Sequence, residues 1–184
     1  MMPGLHAAVN YEVLASFEKP GTQVVAPLVR HSSGDFFGVA SAGGAGGKGS
    51  IFQISAAGVL STLFSFSGTD GQAAAAGLVE GADGALYGTL YGTTLQGGIP
   101  GFGTVFRMNP DGSGFTLLTS SEDGLSPFAR MLQATDGNLY GTTRFGGAGN
   151  VGAVFRLILN CNLDSAPPET TITAGPNGTV ASAA

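Results

Sequence analysis

A unit of about 50 residues occurs three times along this chain and constrains its fold more than any other feature. The clearest copy reads Asp136-Gly137-Asn138-Leu139-Tyr140-Gly141-Thr142-Thr143, followed by Gly146-Gly147 and Val154-Phe155-Arg156. The other copies, at 83–107 and 34–53, keep the same order of an aromatic-Gly pair, a Gly-Gly pair and an apolar-Phe pair. A repeat of this length indicates a modular architecture in which each unit packs on its neighbours.

Each repeat, about 11–56, 60–110 and 115–158, contains four short apolar segments separated by turn residues such as Asp-Gly. The predicted strands are Tyr11–Phe17, Leu28–His31, Phe36–Ser41, Ser50–Ile54, Ser61–Phe66, Gly77–Glu80, Ala85–Thr94, Thr104–Asn109, Phe115–Ser120, Arg130–Ala134, Leu139–Arg144 and Ala153–Leu157. Four strands per unit are typical of a propeller blade. The sequence therefore predicts an all-β, β-propeller-like array of three four-stranded blades, with a β-solenoid as the alternative.

The side chains of the predicted strands favour stacked sheets. The segment Val105-Phe106-Arg107-Met108 places apolar groups on both faces of its strand, as a sheet between two neighbours requires. Gly88 and Gly141 lie inside strands, where a glycine allows close approach by the next sheet. A propeller usually needs about four blades or more to close. Three repeats therefore predict an incomplete propeller whose end blades contact neighbouring repeats or self-associate.

The two ends of the chain lie outside the repeats. Residues 1–10 are predicted to be an unstructured start, and 159–168, with Pro167-Pro168, a stiff linker. Residues 169–184 hold one predicted strand and a turn without partners, which is too little for a domain. This tail is interpreted as the truncated start of another module.

The repeat resembles the bacterial tandem-repeat family called GloVer, whose members are described as choice-of-anchor proteins. The matching residues are Asp136–Thr143, Gly146-Gly147, Gly103–Arg107, Asp111-Gly112 and Leu63–Phe66. The first copy departs from the family pattern at 35–38 and 50–53. The tail from Pro167 to Thr173 resembles the opening strand of bacterial immunoglobulin-like modules. The resemblance implies a long, exported, surface-attached protein with propeller-like repeats and no known catalytic residues.

Charge and composition exclude some classes of function. The net charge is −5 and the seven basic residues form no run, which argues against a nucleic-acid partner. Cys161 is the only cysteine, so no intrachain disulfide forms. No window reaches the about 18 apolar residues of a membrane helix, and Met1–Phe17 lacks the basic start of a signal peptide.

No group of residues predicts catalysis. His31 with Ser32, Ser33 and Asp35 is interpreted as a surface histidine beside a capped turn. The acidic pairs Glu122-Asp123 and Glu80/Asp83 are interpreted as solvated turns. The segment Asn109–Gly114 comes nearest to a calcium loop but lacks the spacing and the final Glu of an EF-hand. The sequence predicts no catalytic residue, no cofactor and no metal site, with calcium as the alternative.

The recurring Gly-Gly loops, at 95–102 and 144–150, are the best candidates for recognition. They occur once per repeat, and equivalent loops of a propeller lie on one rim. Gln96, Phe102, Arg144 and Phe145 are therefore predicted to form a polar and aromatic contact surface for an unknown ligand.

Three functional hypotheses follow. The preferred one is a non-enzymatic repeat segment of an exported or cell-surface bacterial protein with a structural, adhesive or binding role. The first alternative is a propeller-type carbohydrate-binding or carbohydrate-active protein, which as an enzyme would need two carboxylates across a pocket. The second alternative is a gene fragment without independent function.

Overall fold

The computed structural model describes residues 12–18, 22–81, 89–98, 101–120, 126–159, 172–174 and 178–179. These residues contain thirteen β-strands, a short 3-10 turn at Ala148–Asn150 and no α-helix. The strands form three antiparallel sheets, and none of the three closes on itself. The predicted all-β class is confirmed.

Each sheet is a meander in which every strand pairs with the next one along the chain. The first sheet holds β1 (Val29–Arg30), β2 (Phe36–Ala40), β3 (Ser50–Ile54) and β4 (Leu60–Ser65). The second sheet holds β5 (Val79–Gly81), β6 (Thr89–Thr94), β7 (Thr104–Met108) and β8 (Thr116–Ser120). The third sheet holds β9 (Leu132–Gln133), β10 (Leu139–Thr143), β11 (Ala153–Leu157), β12 (Ile172–Ala174) and β13 (Gly178–Thr179).

The sheets do not follow the predicted repeat boundaries. The strand predicted to begin the second repeat is β4, and it pairs with β3 of the first sheet. A tight turn between them, closed by the Ser55 N–H donating to the Val59 carbonyl at 2.9 Å, makes this the nearest partner. In the same way, β8 completes the second sheet by pairing with β7. Residues 12–18, predicted as part of a strand, contain none.

The C-terminal strand has a partner, so its prediction as a lone strand was wrong. Strand β12 pairs with β11 through Phe155 with Ala174 and Leu157 with Ile172. It takes the place in the third sheet that β4 and β8 take in theirs. The exposed edge of β11 explains the pairing, because an unpaired edge strand offers a row of free backbone groups. The predicted start at 1–10 and most of the predicted linker and tail lie outside the described residues.

Two apolar cores join the sheets in chain order. The first consists of Val29, Phe37, Val39, Ile51, Phe66, Ala74, Leu78, Phe106 and Met108, from the first two sheets and the segments beside them. The second consists of Val79, Val105, Met131, Leu139, Phe155 and Leu157. Strand β7 contributes Phe106 and Met108 to the first core and Val105 to the second. The prediction that this strand carries buried apolar groups on both faces is confirmed.

A glycine lies opposite a phenylalanine at the centre of every sheet. The pairs are Gly38 with Phe52, Gly92 with Phe106 and Gly141 with Phe155. A Cβ on any of these glycines would collide with the Cζ atom of its partner ring. The ring therefore lies across the glycine of its own sheet, a pairing known as aromatic rescue. Gly141 was predicted to face the next sheet, which the geometry corrects, and Gly88 lies outside the described residues.

Candidate ligand cleft between the second and third sheets

Two glycine loops of matching conformation form the ends of the second and third sheets. Gly97 and Gly98 have φ of 83° and 71°, and Gly146 and Gly147 have 81° and 69°. Such positive φ values are strained for other residues, which explains why the Gly-Gly pair recurs. The same backbone therefore presents the neighbouring side chains at equivalent places in both sheets.

A cleft of about 530 Å³ opens between these loops. Its lining residues are Gln72, Leu95, Gln96, Gly97, Gly101, Phe102, Ser126, Phe128, Arg144 and Phe145. All four residues predicted from the sequence, Gln96, Phe102, Arg144 and Phe145, lie together in it. The volume is within the range of sites for small ligands, about 300–1,000 Å³.

Sequence reasoning missed three polar or aromatic residues of the lining, Gln72, Ser126 and Phe128. They lie between the first and second predicted strands of their repeats and belong to no Gly-Gly loop. Nothing in their local sequence marks them as lining residues.

Exposed aromatic rings line the cleft, and two of them form one wall beside a cation. Phe102, Phe128 and Phe145 are all exposed. The guanidinium carbon of Arg144 lies 5.2 Å from the ring centre of Phe145 and 5.8 Å from that of Phe128. Both distances are within cation–π range. Arg144 forms no ion pair with any described carboxylate, and it lines the cleft.

The other wall carries a pair of amides. Gln72 Nε2 donates to Gln96 Oε1 at 2.8 Å, and the two backbones exchange hydrogen bonds of 2.7 and 3.2 Å. This arrangement leaves Gln72 Oε1 as an acceptor and the Gln96 amide group as a donor, with no partner among the described residues. The pair of amides therefore offers one acceptor and one donor to a ligand.

Backbone contacts hold the Arg144 wall in place. The Arg144 N–H donates to the Ser126 carbonyl at 3.1 Å. The Thr143 hydroxyl donates to the Phe145 carbonyl at 2.8 Å, and the Gly146 N–H donates to Asn150 Oδ1 at 2.7 Å. Because these bonds fix the loop before any ligand arrives, less ordering entropy is lost on binding.

The junction between the first and second sheets lacks this lining. The bridges Gly43–Lys48 and Gly97–Phe102 are equivalent, so Lys48 stands where the second sheet has Phe102. The Lys48 carbonyl accepts a hydrogen bond from the Ala73 N–H at 3.0 Å, which ties this loop to the second sheet. The described cleft is therefore a property of the second junction, although the loops recur.

His31 is buried, which corrects its prediction as a surface residue. Its Nδ1 atom lies 2.9 Å from Ser33 Oγ and accepts the Ser33 N–H at 3.1 Å, and its Nε2 atom lies 3.4 Å from Glu80 Oε1. The Ser33 hydroxyl donates to Asp35 at 3.0 Å. Because Nδ1 already accepts an amide proton and the serine proton points to Asp35, this is not a nucleophile–base pair. With Ser32 donating to Glu80 at 2.8 Å, the network ties the β1–β2 turn to β5.

The aspartates among the described residues accept hydrogen bonds within turns. Asp111 accepts from the Ser113 hydroxyl at 2.6 Å and the Ser113 N–H at 2.8 Å, and these bonds lower the pKa of Asp111. Among the described residues, no three His, Cys, Asp or Glu side chains lie together as a metal site would need. The described residues that line the cleft include no Asp or Glu.

The hydrogen bonds of Asp136 make the stability of the fold depend on pH. The Tyr140 hydroxyl, donating at 2.8 Å, is the main cause that lowers the pKa of Asp136 below its usual 3.8, followed by Asn138. A carboxyl group whose pKa is lower in the folded state than in the unfolded state stabilises the fold at pH values above its unfolded pKa. For Asp136 this stabilisation is lost as the pH falls below about 3.8 and then through the folded pKa.

We expect Tyr140→Phe to raise the pKa of Asp136 toward 3.8, because its strongest hydrogen bond disappears. A carbon-detected NMR titration of the side-chain carboxyl groups measures this shift. Asp111 is the internal control, since its pKa depends on Ser113 and should not change. An unchanged Asp136 titration would contradict the assignment.

No helix in the described part of the chain is long and apolar enough to cross a membrane. No protein-family model matches the chain. A search among curated proteins also finds no match.

Proposed function

We propose that this protein is a non-enzymatic, propeller-like repeat module of an exported or cell-surface bacterial protein that binds carbohydrate in the cleft between its second and third sheets. The observation that carries the proposal is the convergence of exposed aromatic rings, a pair of amides and a guanidinium group in one open cleft. The sequence resemblance to surface-attached repeat proteins supports the location and the adhesive role.

The chemistry of the two walls favours a saccharide. The apolar C–H face of a sugar ring packs well on an exposed aromatic ring, as Phe102, Phe128 and Phe145 provide. Neighbouring hydroxyl groups of a sugar each donate and accept, which matches the adjacent acceptor of Gln72 and donor of Gln96. A purely apolar ligand would leave these amides unpaired, at a cost in binding free energy.

Arg144 adds a preference for an acidic sugar. Its guanidinium group can hold a carboxylate through two parallel hydrogen bonds. The chain carries a net charge of −5, so a general attraction for anions does not explain acid binding. A carboxylate-bearing saccharide would have to be held by this local cation.

A binding role agrees better with the cleft than catalysis. Hydrolysis of a glycosidic bond requires two carboxyl groups on opposite sides of the bond. The described lining offers amide, guanidinium and aromatic groups instead. These groups bind and orient a sugar but supply no general acid for the leaving group.

We expect the protein to bind an oligomer of galacturonate more tightly than the same oligomer with its carboxyl groups methyl-esterified. Replacing Arg144 by Gln should remove this difference, and Phe145→Ala should weaken both ligands about tenfold or more. Two-dimensional NMR of the ¹⁵N-labelled protein reports binding directly, because the Gln72 and Gln96 side-chain amides give their own signals.

Two control variants separate local from general effects. Arg30→Gln removes one exposed positive charge from β1, outside the cleft, and Lys48→Ala changes the equivalent loop of the first sheet. Both should bind as the parent does. The proposal fails if a panel of neutral and acidic oligosaccharides at about 10 mM leaves all cleft signals unchanged.

A further inference from the structure

The outer face of the third sheet is uncovered at positions that are buried in the other two sheets. Leu132 and Val154 share this face, opposite the side where Phe155 enters the core. They are 67% and 61% exposed. We name this surface, defined by Leu132 and Val154 with Tyr140 and Thr142 between them, the open face.

The register of the sheets identifies the equivalent residues. Val154 pairs with the residue after the central glycine, as Val105 and Ile51 do in their sheets, and those two are only 2% and 0% exposed. Leu132 pairs with the residue before that glycine, and its equivalents, Val79 and Val29, are 8% and 7% exposed. In both cases the next sheet along the chain covers the equivalent position.

In both internal interfaces, the surface that covers these positions is the aromatic face of the next sheet. The aromatic face of the second sheet, with Phe106 and Leu78, packs on the first sheet. The aromatic face of the third sheet, with Phe155 and Met131, packs on the second. Both interfaces therefore join an aromatic face to the opposite face of the preceding sheet.

The aromatic face of the first sheet is the matching surface, and it is covered only in part: Phe52 is 1% exposed, but the position beside it is not buried. Leu28 lies there and is 45% exposed, whereas its equivalents, Leu78 and Met131, are 0% and 3% exposed. Among the described residues, the strap, defined as residues 12–18, contributes the Phe17 ring, whose centre is 4.9 Å from that of Phe52. Val13 and Leu14 of the strap remain exposed, so the strap offers much less apolar contact than a sheet.

We propose that the open face binds the aromatic face of the first sheet in a second copy of this chain, whose strap is displaced. The described residues include one exposed surface of the first kind and one aromatic face that the strap covers only in part, and two internal interfaces already join these two kinds of surface. Continuity with those interfaces identifies the second copy as the occupant. The contact is head-to-tail, so it leads to a closed ring or to a longer chain of copies.

The test is association of the full chain, measured by sedimentation velocity from about 1 μM to about 1 mM. Val154→Asp places a charge on the open face, and Leu28→Asp places one on the aromatic face. Each variant alone should associate at least tenfold more weakly than the parent. An equal mixture of the two should form dimers, because one intact surface of each kind remains.

A substitution in the strap should strengthen association instead of weakening it. Phe17→Ser removes the ring that covers Phe52 and should strengthen association, whereas Val13→Ser, at an exposed strap position, should not. Circular dichroism confirms that the exposed substitutions keep the fold. Parent and Phe17→Ser proteins that stay monomeric throughout would overturn the proposal. So would association that Leu28→Asp leaves intact while Val154→Asp abolishes it, since that pattern means two open faces pair with each other.

Discussion

Replacing Gly92 by alanine is expected to lower the free energy of unfolding by about 1–3 kcal/mol. In most strand positions alanine is more stable than glycine by roughly 0.5–1 kcal/mol. A loss of stability on replacing Gly92 by alanine would therefore indicate a steric collision. Here the new Cβ would lie 2.7 Å from Leu78 Cδ2 and would collide with the Phe106 ring. That ring cannot move aside easily, because Phe66 and Phe115 lie against it with ring centres 5.6 and 5.3 Å away.

Urea denaturation followed by circular dichroism measures this loss. Gly46→Ala is the control, because its backbone is not in the positive-φ region and its nearest neighbour is the Phe66 carbonyl at 3.3 Å. In a Phe106→Leu background, Gly92→Ala should cost less, because the colliding ring atom is gone. Equal costs in the two backgrounds would show that the glycine is required for another reason.

Phe106→Ala is expected to cost about 3–5 kcal/mol, the range for removing a buried aromatic ring. The side chain is fully buried in the core between the first and second sheets. A domain of ordinary stability has only about 5–15 kcal/mol in total, so this single change removes a large share. The cavity would open between two sheets, where the rigid strands limit collapse.

Phe102→Ala is the matched control for this second experiment. It deletes the same ring from an exposed position in the cleft and should change stability by no more than about 0.5 kcal/mol. The same variant therefore shows whether cleft substitutions can be interpreted as losses of binding. Similar small losses from both substitutions would mean that the first and second sheets are not packed together in solution.

The strand content was predictable from the sequence because its signals are local. The predicted segments Ser50–Ile54 and Ala153–Leu157 coincide with β3 and β11. Apolar residues between glycine turns are sufficient to identify such strands. The place of the ligand candidates in recurring loops was predictable for a similar reason, since Gln96 and Phe145 each directly precede a Gly-Gly pair whose positive φ recurs.

The composition of the cleft needed the tertiary structure. Phe128 and Gln72 lie in segments between strands, and nothing in their local sequence places them opposite Arg144 and Gln96. They reach the cleft because one sheet packs on the next, which brings together residues distant in the chain. The buried position of His31 has the same origin, since Glu80 of the second sheet holds its ring.

The sequence by itself determined the all-β class, most of the strands and the repeating loops, because hydrophobic pattern and turn chemistry act over a few residues. Only the tertiary structure decided that β4 and β8 complete the preceding sheets and that β12 joins β11. The tertiary structure alone also showed that Phe17 lies over Phe52 and that Leu132 and Val154 are exposed. Strand partners and covered faces depend on which surfaces meet in space, and those contacts are set by packing between distant segments.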